Sequence, residues 1–324
     1  MMLRGRDAEE MVGGRRAALG GPRWGRTMPS SPTHPAVARA VVVLLLLSPG
    51  PSGNGVAAEP ARQPRKLLTW FDDAGEAGEE NLYGDRIITD RPHLAEAAST
   101  VGLGRVQVEN GYTFYLDGSG GTTVQTHSFP ETLLRVGLFQ EWFEFRVQYN
   151  YLDEQITGPG GSGSLQGSDD LYLGAKVALT DQSGILPEVT IFPQMRVPTG
   201  SPDISSDEVL PGMNFVYAWR VTERFEIEGN TNVNRRRSPG LDHYYTEYLQ
   251  TFNFEYDLAE RIMLFNEFVI FAPSGGIGVP TQAYSHGGLH YFLLPNLQID
   301  VHAAVGLNAA ADDMFGGAGL SWRW

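Results

Sequence analysis

The 324-residue chain contains no cysteine. That excludes a disulfide framework and is compatible with export, because a chain bound for an oxidising compartment either pairs its cysteines or avoids them. Beyond the N-terminal region there is also no continuous run of the roughly 20 apolar residues that a membrane helix needs, which excludes a helix bundle in a bilayer. Basic residues are scarce: 24 Lys and Arg stand against 38 Asp and Glu, a formal net charge of −14. The first 58 residues hold seven Arg and three acids, so the rest is more acidic still, and nucleic acid is not an expected partner. The seven histidines show neither HxH nor HExxH spacing, so no dedicated metal site and no cofactor are expected. Glycine-rich residues 118–121 and 158–163 lack the strand-to-helix context of a phosphate cradle and are expected to be flexible loop.

What is present begins with a signal-peptide pattern. Basic residues precede an apolar run from Val41 to Leu47, and Val56, Ala57 and Ala58 form a small-residue cleavage site. The basic region is unusually long, and Met28 is an alternative start. Residues 1–58 are therefore expected to be removed. Residues 59–104 are polar, include the acidic run DDAGEAGEE, and are expected to form a mobile periplasmic lead-in.

From residue 105 onward the chain alternates with period two, the mark of strands with two different faces. The clearest stretch, WFEFRVQYNY, sets Phe143, Phe145, Val147, Tyr149 and Tyr151 against Glu144, Arg146, Gln148 and Asn150. Twelve such strands are expected, with ten or fourteen as alternatives because the HYFLLPNLQ region blurs a boundary. Their connections alternate without a break. Long Gly/Pro/Asp-rich segments such as LDEQITGPGGSGSLQGSDD, VPTGSPDISSDEVLPG and FAPSGGIGVPTQAYSHGG follow the odd strands, and tight links such as FQEW, VTER, DLAER and LPN follow the even ones.

A soluble sandwich or propeller has no reason to place all its long loops at one end. An all-β transmembrane antiparallel up-and-down β-barrel does, with short periplasmic turns and long outer loops. The last residues, GAGLSWRW, fit it: Leu320, Trp322 and Trp324 share one face, and the final strand is expected to close against the first with its aromatics toward lipid. These three residues are also the expected signal for the outer-membrane assembly machinery.

An Arg or Lys facing lipid at midplane costs about 2–4 kcal/mol, so the polar strand faces should point inward. Expected lumen-lining residues are Arg105, Glu109, Glu144, Arg146, Glu188, Arg196, Glu228, Glu267 and Asp300, together with Glu226, Glu247, Glu255, Arg135, Lys176, Arg220 and Arg323. The mixture of signs does not announce an anion or phosphate pore. Such charges either brace the wall or act in gating and selectivity. One strand, RIMLFNEFVIFAPS, is apolar on both faces. If Glu267 points inward, Met263, Phe265, Val269 and Phe271 accompany it as a greasy strip, serving either as a path for weakly polar or aromatic solutes or as packing against the lead-in.

Hydrolase sites have candidates but no motif. His127 with Ser128, and Ser285 with His286, lie outside any nucleophile signature, and a rim site would need Asp169, Asp170, Asp242 and His243 to converge. No enzyme is expected.

At ITDRPHLAEAASTVGLGRVQVENGYTF, the residues Thr89, Asp90, Arg91, Pro92, Glu96, Ser99, Thr100, Val101, Gly104, Arg105, Gln107, Glu109, Gly111 and Tyr112 resemble the opening of the outer-membrane proteins named for the meta pathway of phenol degradation. Val197, Pro198, Thr199 and Gly200 are similar to that family's mid-barrel strand end, and the Glu267 strand is similar to a later one. The resemblance covers roughly residues 86–324. It implies a barrel in the outer membrane and passage of aromatic or other hydrophobic compounds, with no catalytic residues to carry over. Residues 89–92 are expected at the periplasmic mouth.

The expected function is thus a channel for small solutes, with aromatic or hydrophobic compounds as the candidates, in contact with outer-membrane lipid. The alternatives are a non-conducting structural or surface-binding barrel with acidic outer loops and, third, an outer-membrane hydrolase.

Overall fold

A computed structural model describes residues 66–68, 85–238 and 241–324. The expected signal peptide and the acidic run at 72–80 lie outside the described residues. No described helix is long and apolar enough to cross a membrane.

The described residues form thirteen strands. The first four are β1 (Val106–Ser119), β2 (Thr122–Gly137), β3 (Phe143–Gly158) and β4 (Gly161–Ser168). Then come β5 (Leu171–Thr180), β6 (Glu188–Val197), β7 (Leu210–Thr222), β8 (Phe225–Arg237) and β9 (Tyr244–Ala259). The last are β10 (Ile262–Ser274), β11 (Gln282–Leu294), β12 (Leu297–Gly306) and β13 (Met314–Arg323). Neighbours run antiparallel, and β13 returns to β1 with Arg323 opposite Gln107 and Met314 opposite Leu116. β4 pairs only with the outer half of β3, whose inner half pairs with β5, so the closed ring has the expected twelve strands. Closure removes the exposed edge that the terminal strand would otherwise present.

Two of the connections differ from the expected long loops. β1 and β2 run out to a two-residue turn at Gly120 and Gly121, both with positive φ (59° and 82°), the conformation that a tight hairpin turn requires. Residues 152–170, expected as loop, instead continue β3 and return as β4. The Thr, Val and Ile of these segments favour extended backbone, and their polar alternation suits a hairpin wet on both faces. At 14 and 16 residues, β1, β2 and β3 exceed the roughly 9–11 that cross a bilayer and raise a wall above it. The other long connections, after β6, β8, β10 and β12, lie at that same end, and the short ones lie at the opposite end.

The strands are inverted relative to a soluble protein. On β3, Glu144 and Arg146 are buried while Phe145 and Tyr149 are exposed. On β10, Phe265, Glu267, Val269 and Phe271 face inward, and Leu264, Phe268 and Ile270 face outward. Leu320, Trp322 and Trp324 belong to the exposed apolar face. Such a belt is stable only against lipid.

The interior is not empty. Residues 85–104, expected outside the barrel, run through it as an irregular segment with Ile87, Ala95, Ala97, Ala98 and Val101 buried. They start at the short-turn end, where the Ile87 N–H meets the carbonyl of Pro295 at 2.6 Å. They leave there too, where the Gly104 N–H meets the carbonyl of Gly137 at 3.0 Å.

Candidate functional site

A backbone without regular structure must find partners for its polar groups, and inside a barrel only the wall can supply them. The wall carboxylates take the N–H groups of residues 85–104. Glu109 accepts from Asp90 (3.0 Å) and Arg91 (2.9 Å), Glu267 from Leu94 (2.6 Å) and Ala95 (2.9 Å), and Glu144 from Val101 (2.8 Å). Asn230 accepts from the Glu96 N–H at 3.1 Å. The wall donors take the carbonyls: Gln107 reaches Ile88 at 2.9 Å, Lys176 reaches Ala97 and Ser99 at 2.8 Å each, and Thr190 reaches Ala98 at 2.5 Å. The segment is a plug, and the buried charges of the wall are its binding site.

Asp90 is the centre of its electrostatics. Its carboxylate meets Arg146 at 2.5 Å, Arg135 at 3.1 Å and Lys176 at 3.6 Å, and accepts the Ala97 N–H at 2.9 Å, bracing one limb of the plug on the other. Burial alone would raise this carboxyl, but the three cations hold it well below the usual range. Arg135 also bonds Glu144 (2.8 Å) and Glu109 (3.0 Å), and Arg146 pairs with Glu96. Arg91 reaches across to Glu131 at 2.6 Å and toward Asp300 at 3.8 Å. Its guanidinium lies flat where Gly111 of β1 opposes Gly319 of β13. A Cβ on either glycine would come within 1.9 Å or 2.6 Å of it.

The structure places residues 89–92 deeper than the expected periplasmic mouth: Glu131, the partner of Arg91, stands opposite Gly111, well inside β1. Of the other expected lumen residues, Arg105 pairs with Asp85 at the short-turn end (2.6 Å) and Glu188 with Lys66 (2.5 Å). Arg196 pairs with Asp169 toward the loop end (2.5 Å), and Glu228 accepts from Asn253 (3.2 Å). The greasy strip divides. Phe265 packs on His93 of the plug, with ring centroids 5.4 Å apart, while Phe271 joins Tyr284, Phe315 and Leu249 around Leu94.

Two cavities flank the plug. One of about 330 Å³ opens toward the loop end, bounded below by residues 90–94 and Glu96 and walled by Arg196, Arg236, Asn232 and Gln194 on one side and Tyr115, Phe271 and Phe315 on the other. A smaller one, about 90 Å³, lies at the short-turn end beside Arg86, Glu226, Glu228, Glu255 and Asp257.

The hydrolase candidates do not converge. Neighbouring strand residues face opposite sides, which separates Ser128 from His127 and Ser285 from His286. Asp169 is held by Arg196, Asp170 by Ser205 and Ser206 (2.6 Å each), Asp242 by Arg237 (3.1 Å), and His243 by the Gly275 carbonyl (2.7 Å). Sequence reasoning missed His93, Ala97 and Ser99 as plug contacts. Their signal is the run of small residues Ala95, Ala97, Ala98 and Ser99 beside Asp90, Arg91 and Glu96, which lets backbone approach a wall closely while keeping charges to anchor it.

Fold and interior together define a plugged transmembrane β-barrel. The chain belongs to the family described as "Putative MetA-pathway of phenol degradation", whose pattern matches residues 89–324, so that it takes in the plug as well as the wall. Among solved structures, an outer membrane channel from Pseudomonas putida F1 is similar with a TM-score of 0.57 at 9% identity, covering 70% of this chain and 98% of that one. The translocator domain of the autotransporter NalP from Neisseria meningitidis is more distant, with a TM-score of 0.45 at 12% identity and coverage of 69% and 88%. The NanC porin has a TM-score of 0.42 at 11% identity, with coverage of 67% and 98%. No curated protein sequence matches the chain.

Proposed function

We propose that the protein is an outer-membrane channel held shut by residues 85–104, and that small amphipathic or aromatic solutes cross it when the plug shifts. The observation that carries this reading is the plug itself, lying between two polar cavities at opposite ends of one barrel. Apart from apolar contacts at Leu94 and Ala98, its anchors are hydrogen bonds and ion pairs, and such contacts can be exchanged for water as the segment moves. The loop-side cavity has a charged and amide wall facing an aromatic one, which suits a solute with a polar group on a hydrophobic body. The description of the matched family and the solved outer membrane channel agree with this reading.

The test is permeation through the full-length protein in lipid vesicles, comparing a small aromatic acid with a sugar of similar size. Faster entry of the aromatic acid is expected. Folded barrel that passes neither solute, even after the plug anchors are weakened, would favour a structural barrel acting through its outer loops.

A further inference from the structure

Four of the seven histidines, His93, His286, His290 and His302, are buried inside the barrel. His286 is accounted for: its Nδ1 meets Glu267 at 2.6 Å and its Nε2 meets His302 at 3.0 Å. His93 and His290 are not, and between them lies Glu255.

His93 Nδ1 is 2.5 Å from the carbonyl oxygen of Ala95. A carbonyl only accepts, so Nδ1 carries the proton, and in the neutral ring the lone pair is on Nε2. That lone pair faces Glu255 Oε1 at 3.1 Å. Two lone pairs at this separation repel unless a cation sits between them. A proton on His93 would satisfy that pair but does nothing for His290. Both ring nitrogens of His290 are sealed from solvent without a well-aligned hydrogen bond; the side chain of Gln298, whose amide N–H donates to Thr89 Oγ1 at 2.9 Å, is their polar neighbour from β12. Donor atoms of His93, Glu255 and His290 lie within 4.8 Å of one another. The 3.1 Å already reached by two of them is close to the ~3.3 Å edge of a tetrahedron with ~2.0–2.1 Å bonds.

We propose that His93, Glu255 and His290 bind one divalent transition-metal ion of the zinc class, which pins the plug to β9 and β11. Two imidazoles and one carboxylate select such an ion over calcium or magnesium, which prefer oxygen ligands throughout. The surroundings suit it. The Ala95 carbonyl fixes the His93 tautomer, and Asn253 donates to Glu255 Oε1 at 3.0 Å, the kind of outer contacts that orient metal ligands. Glu255 also borders the short-turn cavity, the side from which an ion would reach the cluster.

The experiment loads the full-length folded protein with Zn²⁺, removes free metal and measures bound metal by mass spectrometry. Co²⁺ serves in parallel as an absorbing substitute. One equivalent of zinc and the visible bands of four-coordinate, nitrogen-ligated cobalt are expected. His290→Gln and Glu255→Gln should each weaken binding at least ~10-fold, while His127→Gln and His243→Gln, outside the cluster, should leave it unchanged. Wild-type protein that retains no zinc, cobalt with only the spectrum of the hydrated ion, or equal binding by His290→Gln would overturn the proposal. The wild-type cobalt spectrum decides the matter even if the variants fail to fold.

Discussion

Replacing Asp90 with Asn removes one charge and almost no volume. The Asn oxygen can still accept the Ala97 N–H, so the loop of the plug keeps its internal brace. What is lost is the carboxylate facing Arg146 at 2.5 Å, Arg135 at 3.1 Å and Lys176 at 3.6 Å, all three buried. Breaking a buried ion pair from one side costs about 3–5 kcal/mol, because the abandoned charge stays desolvated. Here Glu109, Glu144 and Glu96 remain beside the cations, so the lower end of that range applies. About 3 kcal/mol shifts an equilibrium between seated and displaced plug by roughly 150-fold. The barrel's own strand pairing does not involve Asp90 and should be untouched. Single-channel recording of Asp90→Asn in a planar bilayer should therefore show the open state far more often than wild type, at unchanged heat-modifiable mobility on a gel. Unchanged gating in demonstrably folded protein would refute the idea that this network holds the channel shut.

Three further outcomes follow from the same contacts. Gly111→Ala would put a methyl group where the Arg91 guanidinium lies, 1.9 Å from its Cζ, and should raise conductance by unseating Arg91 without unfolding the ring; a closed, wild-type-like record would contradict the seat. Acid should open the channel late. Asp90 titrates lower in the plugged state than in the free segment, so its contribution is complete above the ordinary carboxylate pKa of about 4 and falls away below it. Glu96, raised by burial, protonates more readily when seated and so does not weaken the plug as pH falls. Bilayer currents at pH 6, 4 and 3 should show opening only in the last step, and opening at pH 6 would argue against it. Finally, Arg196→Gln removes a partly exposed cation from the loop-side cavity whose ion pair is with Asp169 and not with the plug, and should shift reversal potentials toward cation selectivity with gating unchanged.

Much of this molecule is legible in one dimension because a barrel wall is a local object. Each strand needs one apolar and one polar face, so Phe145 and Tyr149 against Glu144 and Arg146 declare both the strand and its orientation. The rhythm of long and short links then orders the ends, and the terminal aromatic strand implies its own pairing. Local pattern misleads at residues 118–121 and 152–170, where polarity reads as loop but the chain forms hairpins. A hairpin standing in water needs no apolar face, so Thr, Gln, Ser and Gly carry no signal of burial there.

The plug was not legible for a different reason. Its residues have no periodicity, since their backbone partners are side chains on strands far along the chain. Leu94 depends on Glu267, and Val101 on Glu144. The same charges that sequence alone could assign to the lumen have two possible uses, lining water or holding a chain, and local pattern cannot separate them. Likewise His93 and His290 lie nearly the whole barrel apart in sequence and meet only because the plug turns back at mid-barrel. Sequence alone determined the wall, because the alternation of lipid-facing and lumen-facing residues is a property of neighbours. Only the tertiary structure decided what the wall encloses, because burial inside a closed ring depends on every strand at once.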